Sequence, residues 1–359
     1  MDLLIKHTAR YSFIFLTVAM IAIVYFGSTR VIEISGIGQE DVRIEDKVPD
    51  QETSAKSENT LMFDASSEYT DYLGIPLPES TQPDDITIEN HYMDHQLVVR
   101  IKCDEPGFYR NNPLSGNRDS ITDGTFEEAE EETALKFEVD NVYEYKTVLE
   151  NNNLYISFYK PRELYDKIVV IDPAHGGSDI GVINSAVAVQ DRKTQALYEK
   201  DVNLKIAQRL KELLDESGVK AYYTRMDDVN PSEDSRVSLC NTVRADAYIR
   251  IEVDRRDDSS VYGVTCKYND EYFIPGFGNV ELADIMEKSV ATEVKGRALG
   301  LVAASGDDGT LLNATVPACT VMVGCISNGQ EAILLSRDDY VEKIATGLYK
   351  GITGIYEER

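Results

Sequence analysis

The sequence predicts an α/β protein: a three-layer sandwich with a largely parallel sheet flanked by helices, preceded by a small β-rich domain and an N-terminal transmembrane helix. Three observations carry this reading. Strand-like and helix-like runs alternate from Lys167 to the end, period-two runs fill the stretch from Ile86 to Arg162, and residues Tyr11–Gly27 hold no charge. A chain of 359 residues has room for two domains and connecting segments. Its 63 acidic against 36 basic residues give a net charge of −27. That balance excludes a nucleic-acid binder, which must neutralise phosphates with Lys and Arg, and a polybasic patch for anionic membranes. The five cysteines form no CxxC and no metal-type spacing, and their odd number speaks against a disulfide framework. They read as small buried hydrophobes.

The apolar run 11–27 is near the lower length limit for crossing a bilayer and follows Lys6 and Arg10. Its end offers poor cleavage sites, so it reads as an uncleaved signal anchor and not as a removable signal peptide. The positive-inside rule then leaves residues 1–10 in the cytoplasm and the bulk of the chain outside it, at the cell membrane. Residues 28–85 are polar and acidic, with too little apolar surface to offset ordering entropy, and read as a flexible linker.

The β-rich domain is expected over 86–162. ITIENHY, HQLVVRIKC, ALKFEVD and LYISFYK alternate apolar and polar residues with polar turns between them. His91 and His95 fall in a hairpin turn, and the acidic stretch Arg118–Glu132 reads as a loop.

The third segment, 167–359, opens with the apolar strand Ile168–Ile171, which runs into a glycine-rich loop carrying Asp172 and His175. In α/β sheets ligand chemistry sits beyond the carboxyl ends of such strands. Val202, Ile206, Leu210, Leu213 and Leu214 place a helix over Lys200–Ser217, closed by Gly218. A strand Lys220–Thr224 and a helix around Ser235–Arg244 come next. Strands Ala247–Val253, Gly263–Tyr268 and Cys319–Val323 and helices Glu281–Val294 and Asp338–Glu357 complete the alternation.

This segment resembles the zinc-dependent N-acetylmuramoyl-L-alanine amidases, peptidoglycan hydrolases that cut between muramic acid and the stem peptide. DPAHGGSDIG resembles the family's DPGHGGxDxG, and Glu199-Lys200 resembles the EK that opens its first long helix. Thr224-Arg225, Asp228, Arg236, Asn241 and Ala245-Asp246 follow further landmarks in order. Pro317-Ala318, Gly324 and Ile326-Ser327-Asn328 resemble its PAxLVExGFxSN segment.

The resemblance implies zinc held by two histidines and a glutamate, with a fourth residue, a glutamate, as base. Three ligands leave a position for water, whose pKa the metal lowers, and the carboxylate takes its proton. Carried over by motif, His175 and Glu199 match the first two ligands, but Glu252 stands where the second His belongs and Met322 where the base belongs. Glu252 either completes a His175–Glu199–Glu252 zinc set or pairs with Arg250, which strand alternation puts on the same face. Met322 cannot accept a proton at neutral pH, and Glu331, well past the Gly324 turn, is expected to face solvent, which leaves no secure catalytic residue. The expectation is therefore a membrane-anchored family member, a pseudoenzyme or nearly so, that acts on or binds peptidoglycan or regulates a partner hydrolase. An active His-Glu-Glu zinc amidase and a purely structural envelope protein are the alternatives.

Overall fold

Among the described residues, eight strands form two facing antiparallel sheets ahead of the α/β part. The computed structural model describes residues 59–64, 70–79, 81–188 and 194–357. One sheet has the order β4-β1-β8-β7, from β1 (Leu73–Pro76), β4 (Ser115–Gly116), β7 (Glu144–Glu150) and β8 (Asn153–Tyr159). The other has the order β2-β3-β6-β5, from β2 (Ile86–His91), β3 (Gln96–Lys102), β5 (Ile121–Glu128) and β6 (Glu132–Val139). Inward residues such as Leu73, Ile75, Val99, Phe126, Phe137 and Ile156 make the core, as expected where every second side chain faces in.

Two expectations change here. The sandwich takes in residues 59–64 and β1, within the stretch read as linker, because Leu61, Leu73 and Ile75 are buried in the core. The acidic stretch 118–132 is not a loop: β5 runs through it with Phe126 inward and Asp123, Glu127 and Glu128 exposed. The expected transmembrane run and most of the linker lie outside the described residues. Among those described, no helix is long and apolar enough to cross a membrane.

A short helix α1 (Phe108–Asn111) lies within the sandwich, and α2 (Pro161–Leu164) leads out of it. The α/β part follows with a six-stranded sheet of order β12-β9-β13-β16-β14-β15. Its strands are β9 (Ile168–Pro173), β12 (Lys220–Tyr223), β13 (Ala247–Asp254), β14 (Val264–Tyr268), β15 (Ala298–Ala303) and β16 (Ala318–Cys325), and a separate hairpin joins β10 (Ile183–Ala188) to β11 (Thr194–Tyr198). The sheet is mixed, since β14 runs antiparallel to β16 while the other pairs are parallel.

The helices are α3 (Glu199–Leu214), α4 (Glu233–Val243), α5 (Asn279–Val294), α6 (Gly309–Asn313), α7 (Gly329–Leu335) and α8 (Asp338–Ile355). One sheet face packs Val169, Ile171, Ile249 and Val321 against α3, α5 and α8; the other packs Ile168, Val170 and Tyr248 against α4. Strands buried on both faces read as continuous apolar runs, which is why β9 was legible in the sequence.

The sandwich docks on the sheet through the β2–β3 turn. The Tyr92 hydroxyl donates to the Tyr223 carbonyl at 2.9 Å and accepts from the Tyr223 N–H at 3.0 Å, closing the edge of β12. The Tyr92 ring meets Tyr222 edge-on, with centroids 5.1 Å apart. Glu144 of β7 accepts from the Tyr222 hydroxyl and pairs with Lys220 at 2.7 Å.

At the end of β9, Asp172 is a fully buried carboxylate that accepts from Thr224, Tyr248 and Arg236 and faces Arg250 at 3.6 Å. Burial alone would raise its pKa, but the Arg250 and Arg236 charges and the hydroxyl donors outweigh it and hold the carboxyl below its usual range.

Two predictions follow from these contacts. Tyr92→Phe strips both groups of Tyr223 of their partner and should lower urea-unfolding stability by about 1–3 kcal/mol. Asp172→Asn leaves buried guanidinium charge uncompensated and should cost about 3–5 kcal/mol at neutral pH. Because the folded pKa is depressed, that contribution is present above the unfolded value of about 3.9 and is lost as pH falls through the folded value. The stability gap between Asp172→Asn and the parent should narrow below about pH 4 in urea titrations run at stepped pH.

Candidate active site

The loop after β9 is shaped around His175, whose backbone sits in the left-handed region at φ 63°. Such a conformation in a non-glycine residue persists only where its surroundings fix it. Here two buried guanidinium groups do so. Arg236 donates to the carbonyls of Pro173 and His175, and Arg225 donates to those of Pro173, Ala174, Lys200 and Asp227. Lys200 ties the loop from the other side, bonding the Gly177 carbonyl at 2.9 Å and Asp228 at 2.6 Å, while Asp228 accepts from the Gly177 N–H. Gly176 is required: its φ is 135°, and a Cβ there would lie 2.0 Å from the Val229 carbonyl oxygen. Ala174, where the family pattern has glycine, is outside the positive-φ residues, so its methyl meets no left-handed backbone strain.

The imidazole is bracketed by two carboxylates. Nδ1 lies 2.8 Å from Asp179 Oδ2 and Nε2 lies 3.2 Å from Glu199 Oε2. Glu199 is the first residue of α3 and only 3% exposed. Its two oxygens also accept from Val182 N–H and Val253 N–H, each at 2.8 Å. Burial opposes charge on His175, but the bonds and charges of Glu199 and Asp179 outweigh it and raise the pKa to about 9. Glu199 and Asp179 are held low in turn, against their own burial, chiefly by the same imidazole. Gly181 closes the arrangement, because a Cβ there would lie 2.5 Å from Glu199 Oε2 and 2.7 Å from the His175 ring.

The other half of the expected set is arranged differently. On β13, Arg250 Nε donates to Glu252 at 2.8 Å, and its Nη1 reaches Thr310 of α6 at 3.2 Å as well as Asp172. Burial works against the Arg250 charge, but Asp172 and Glu252 keep it firmly protonated. Met322 is the register partner of Glu252 on β16 and is 4% exposed. The structure thus brings His175 and Glu199 together and sets Glu252 with Arg250. Among the described residues, no group of three or more His, Cys, Asp or Glu converges to hold a metal. The donor set does not fit a three-ligand zinc: one ligand position carries a carboxylate committed to a guanidinium, and the same cation stands beside it.

Glu331, expected to face solvent, is instead 6% exposed and accepts from the N–H groups of Gly263 and Cys325. Burial raises its pKa, partly offset by those two donors. It braces the Gly324 turn and bonds no group in the His175 cluster. Sequence reasoning also passed over Asp179, Gly181 and Arg225 as site-shaping residues. The first two stand inside DPAHGGSDIG, two and four residues past the loop's glycine pair, where the motif itself was the available signal. Nothing in sequence spacing announces that Arg225 binds four carbonyls.

Comparison with known proteins follows this geometry. The N-acetylmuramoyl-L-alanine amidase family profile matches residues 169–354, just over half of the 359-residue chain. The germination-specific N-acetylmuramoyl-L-alanine amidase of Bacillus subtilis is 28% identical over 233 residues, covering 60% of this chain and 90% of that protein. The probable cell wall amidase LytH of Staphylococcus aureus is 30% identical over 173 residues, 48% of this chain and 52% of its own. Among solved structures, an N-acetylmuramoyl-L-alanine amidase from Clostridium difficile 630 aligns with a TM-score of 0.47 at 25% identity, covering 54% of this chain and 98% of that one. With the profile spanning the mixed sheet, its helices and the His175 loop together, the chain belongs to the N-acetylmuramoyl-L-alanine amidase family.

Proposed function

We propose that this chain is a cell-envelope protein that binds peptidoglycan through its amidase-type cleft, with hydrolysis weak or lost. Residues 11–27 would anchor it in the membrane, with the sandwich and the α/β part outside the cytoplasm. The observation that carries the reading is the Arg250–Glu252 pair beside a buried Met322. In the family's chemistry zinc activates water and polarises the amide carbonyl, and a carboxylate takes the proton. Here the carboxylate at one ligand position is already neutralised by Arg250, and a thioether holds the position of the base. Losing a positioned base costs about 10²–10⁴-fold in rate. What this chain's residues retain is a rigid, charged loop: His175 fixed between Asp179 and Glu199, with Lys200 and Arg225 securing the backbone around it. Such a loop can position a glycopeptide without cutting it, for example beside a partner hydrolase.

The test uses purified full chain and purified cell-wall material. Co-sedimentation with the wall, no retained zinc after dialysis and no release of stem peptides are the expected results. Stoichiometric zinc with amide cleavage that His175→Ala abolishes would instead establish an active His-Glu-Glu enzyme. Failure to sediment with the wall would leave the structural role. A companion variant, Glu252→His with Met322→Glu, should retain zinc through dialysis where the parent does not, measured by metal analysis of the dialysed protein.

A further inference from the structure

β7 is the last strand of its sheet, and among the described residues its backbone ladder runs to β8 alone. The pairing is regular from Glu144 to Glu150, with no bulge, and every residue from Lys146 to Glu150 is exposed. Other long edges of the fold are occupied or interrupted. Residues 59–61 bond along β5, Tyr92 closes β12, and β15 carries an irregularity at Gly300, φ 103°, whose N–H donates to Glu287 of α5. β7 is left able to take a further strand.

The turn after it fixes what that edge presents. Asn151 and Asn152 both have positive φ, 51° and 56°, as in the two-residue turns that close a hairpin on a hydrogen-bonded pair. Hydrogen-bonded and non-hydrogen-bonded pairs alternate from Glu150–Asn153 onward, so Tyr145, Thr147 and Leu149 point their N–H and C=O groups away from β8. Side chains alternate as well. Thr147 and Leu149 share the face of Tyr145, which packs on the sandwich core, while Lys146, Val148 and Glu150 share the other face. Val148 is 58% exposed and Leu149 41%, so apolar surface is open on both faces.

The order of residues points to the occupant, because the strand is complementary to its own reverse. Set antiparallel to a second copy about a two-fold axis at Val148, Thr147 meets Leu149 twice, and these are residues whose main-chain groups point outward. Lys146 then faces Glu150 twice on one face, and Val148 meets Val148 between them. Opposite charges across a strand pair stabilise it. The register centred on Thr147 would instead set Glu144 against Glu150, a like-charge pair that disfavours it. We infer that β7 is a self-association edge, on which a second copy of this chain pairs across residues 146–150 and joins two four-stranded sheets into one of eight. Such an interface is isologous, with the same patch on both subunits. It uses neither the His175 loop nor residues 11–27, so it stands or falls apart from the function proposed above.

The experiment uses the full chain in detergent. Val148→Cys reads the axis, since the five native cysteines are all buried and the new thiol is exposed. Facing Cα atoms of a non-hydrogen-bonded pair lie about 4.5 Å apart, within disulfide reach, so copper–phenanthroline oxidation should convert most of this variant to a linked dimer on a non-reducing gel. Lys146→Cys would lie about 13 Å along the strand from its own copy and should not link. Sedimentation equilibrium in density-matched detergent reads the strength. Lys146→Glu places like charges opposite each other twice and should weaken the dimer by at least about fivefold, and adding Glu150→Lys should restore it to within about twofold of the parent. That recovery also shows that the single variant had not simply misfolded. A monomeric parent, a Val148→Cys chain that links no better than Lys146→Cys, or a charge swap that fails to recover would each overturn the inference. So would a dimer indifferent to Lys146→Glu, which would put the contact elsewhere in the chain.

Discussion

A single buried carboxylate organises the α/β part. Asp172 lies at the end of β9, where strand gives way to site loop, and it is compensated by Arg236 from α4, Arg250 from β13 and hydroxyls from Thr224 and Tyr248. A charge so placed is tolerable only when its partners hold their geometry. The same guanidinium of Arg236 that meets Asp172 also reaches the carbonyls of Pro173 and His175. Fold stability and loop shape are therefore linked through one side chain, and the left-handed backbone of His175 is a product of that link.

The candidate site is best described as two half-sites with opposite fates. Near α3, the imidazole and two carboxylates form a closed charge network whose oxygens are also satisfied by backbone N–H groups. On β13, a guanidinium supplies fixed positive charge next to Glu252, beside the position that the family gives to a metal ligand. An ion pair inside the protein needs no uptake of metal and no deprotonated ligand set. Its geometry is set at folding, and it offers no open coordination position. That difference sets the β13 half of the site apart from the ligand pattern that the resemblance implies.

How much of this was legible depended on whether the signal was local. β9 declared itself because burial on both faces makes a continuous apolar run, and α3 because its apolar residues repeat at helical spacing. β5 was hidden by its own acidic outward face, with Gly124 and Phe126 too few to reveal the alternation. The reversed direction of β14 could not be read at all, since periodicity gives a strand but not its partner. His175, Glu199, Arg250 and Glu252 were found by motif and by strand alternation. Glu331 was misplaced because the turn after Gly324 leads into α7, whose first turn brings the carboxylate back onto Gly263. Tyr92 gave no sign, for its partner lies 131 residues away.

The Tyr92 contact has a further consequence for how the protein behaves in a crowd. An edge strand with unpaired amide and carbonyl groups is a template for another chain, and natural sheets cover or blunt such edges. A phenol occupies both groups of Tyr223 but, unlike a peptide strand, it has nothing to offer to the next molecule. Docking the sandwich therefore also terminates the sheet at β12, and a chain whose domains came apart would expose that edge to aggregation.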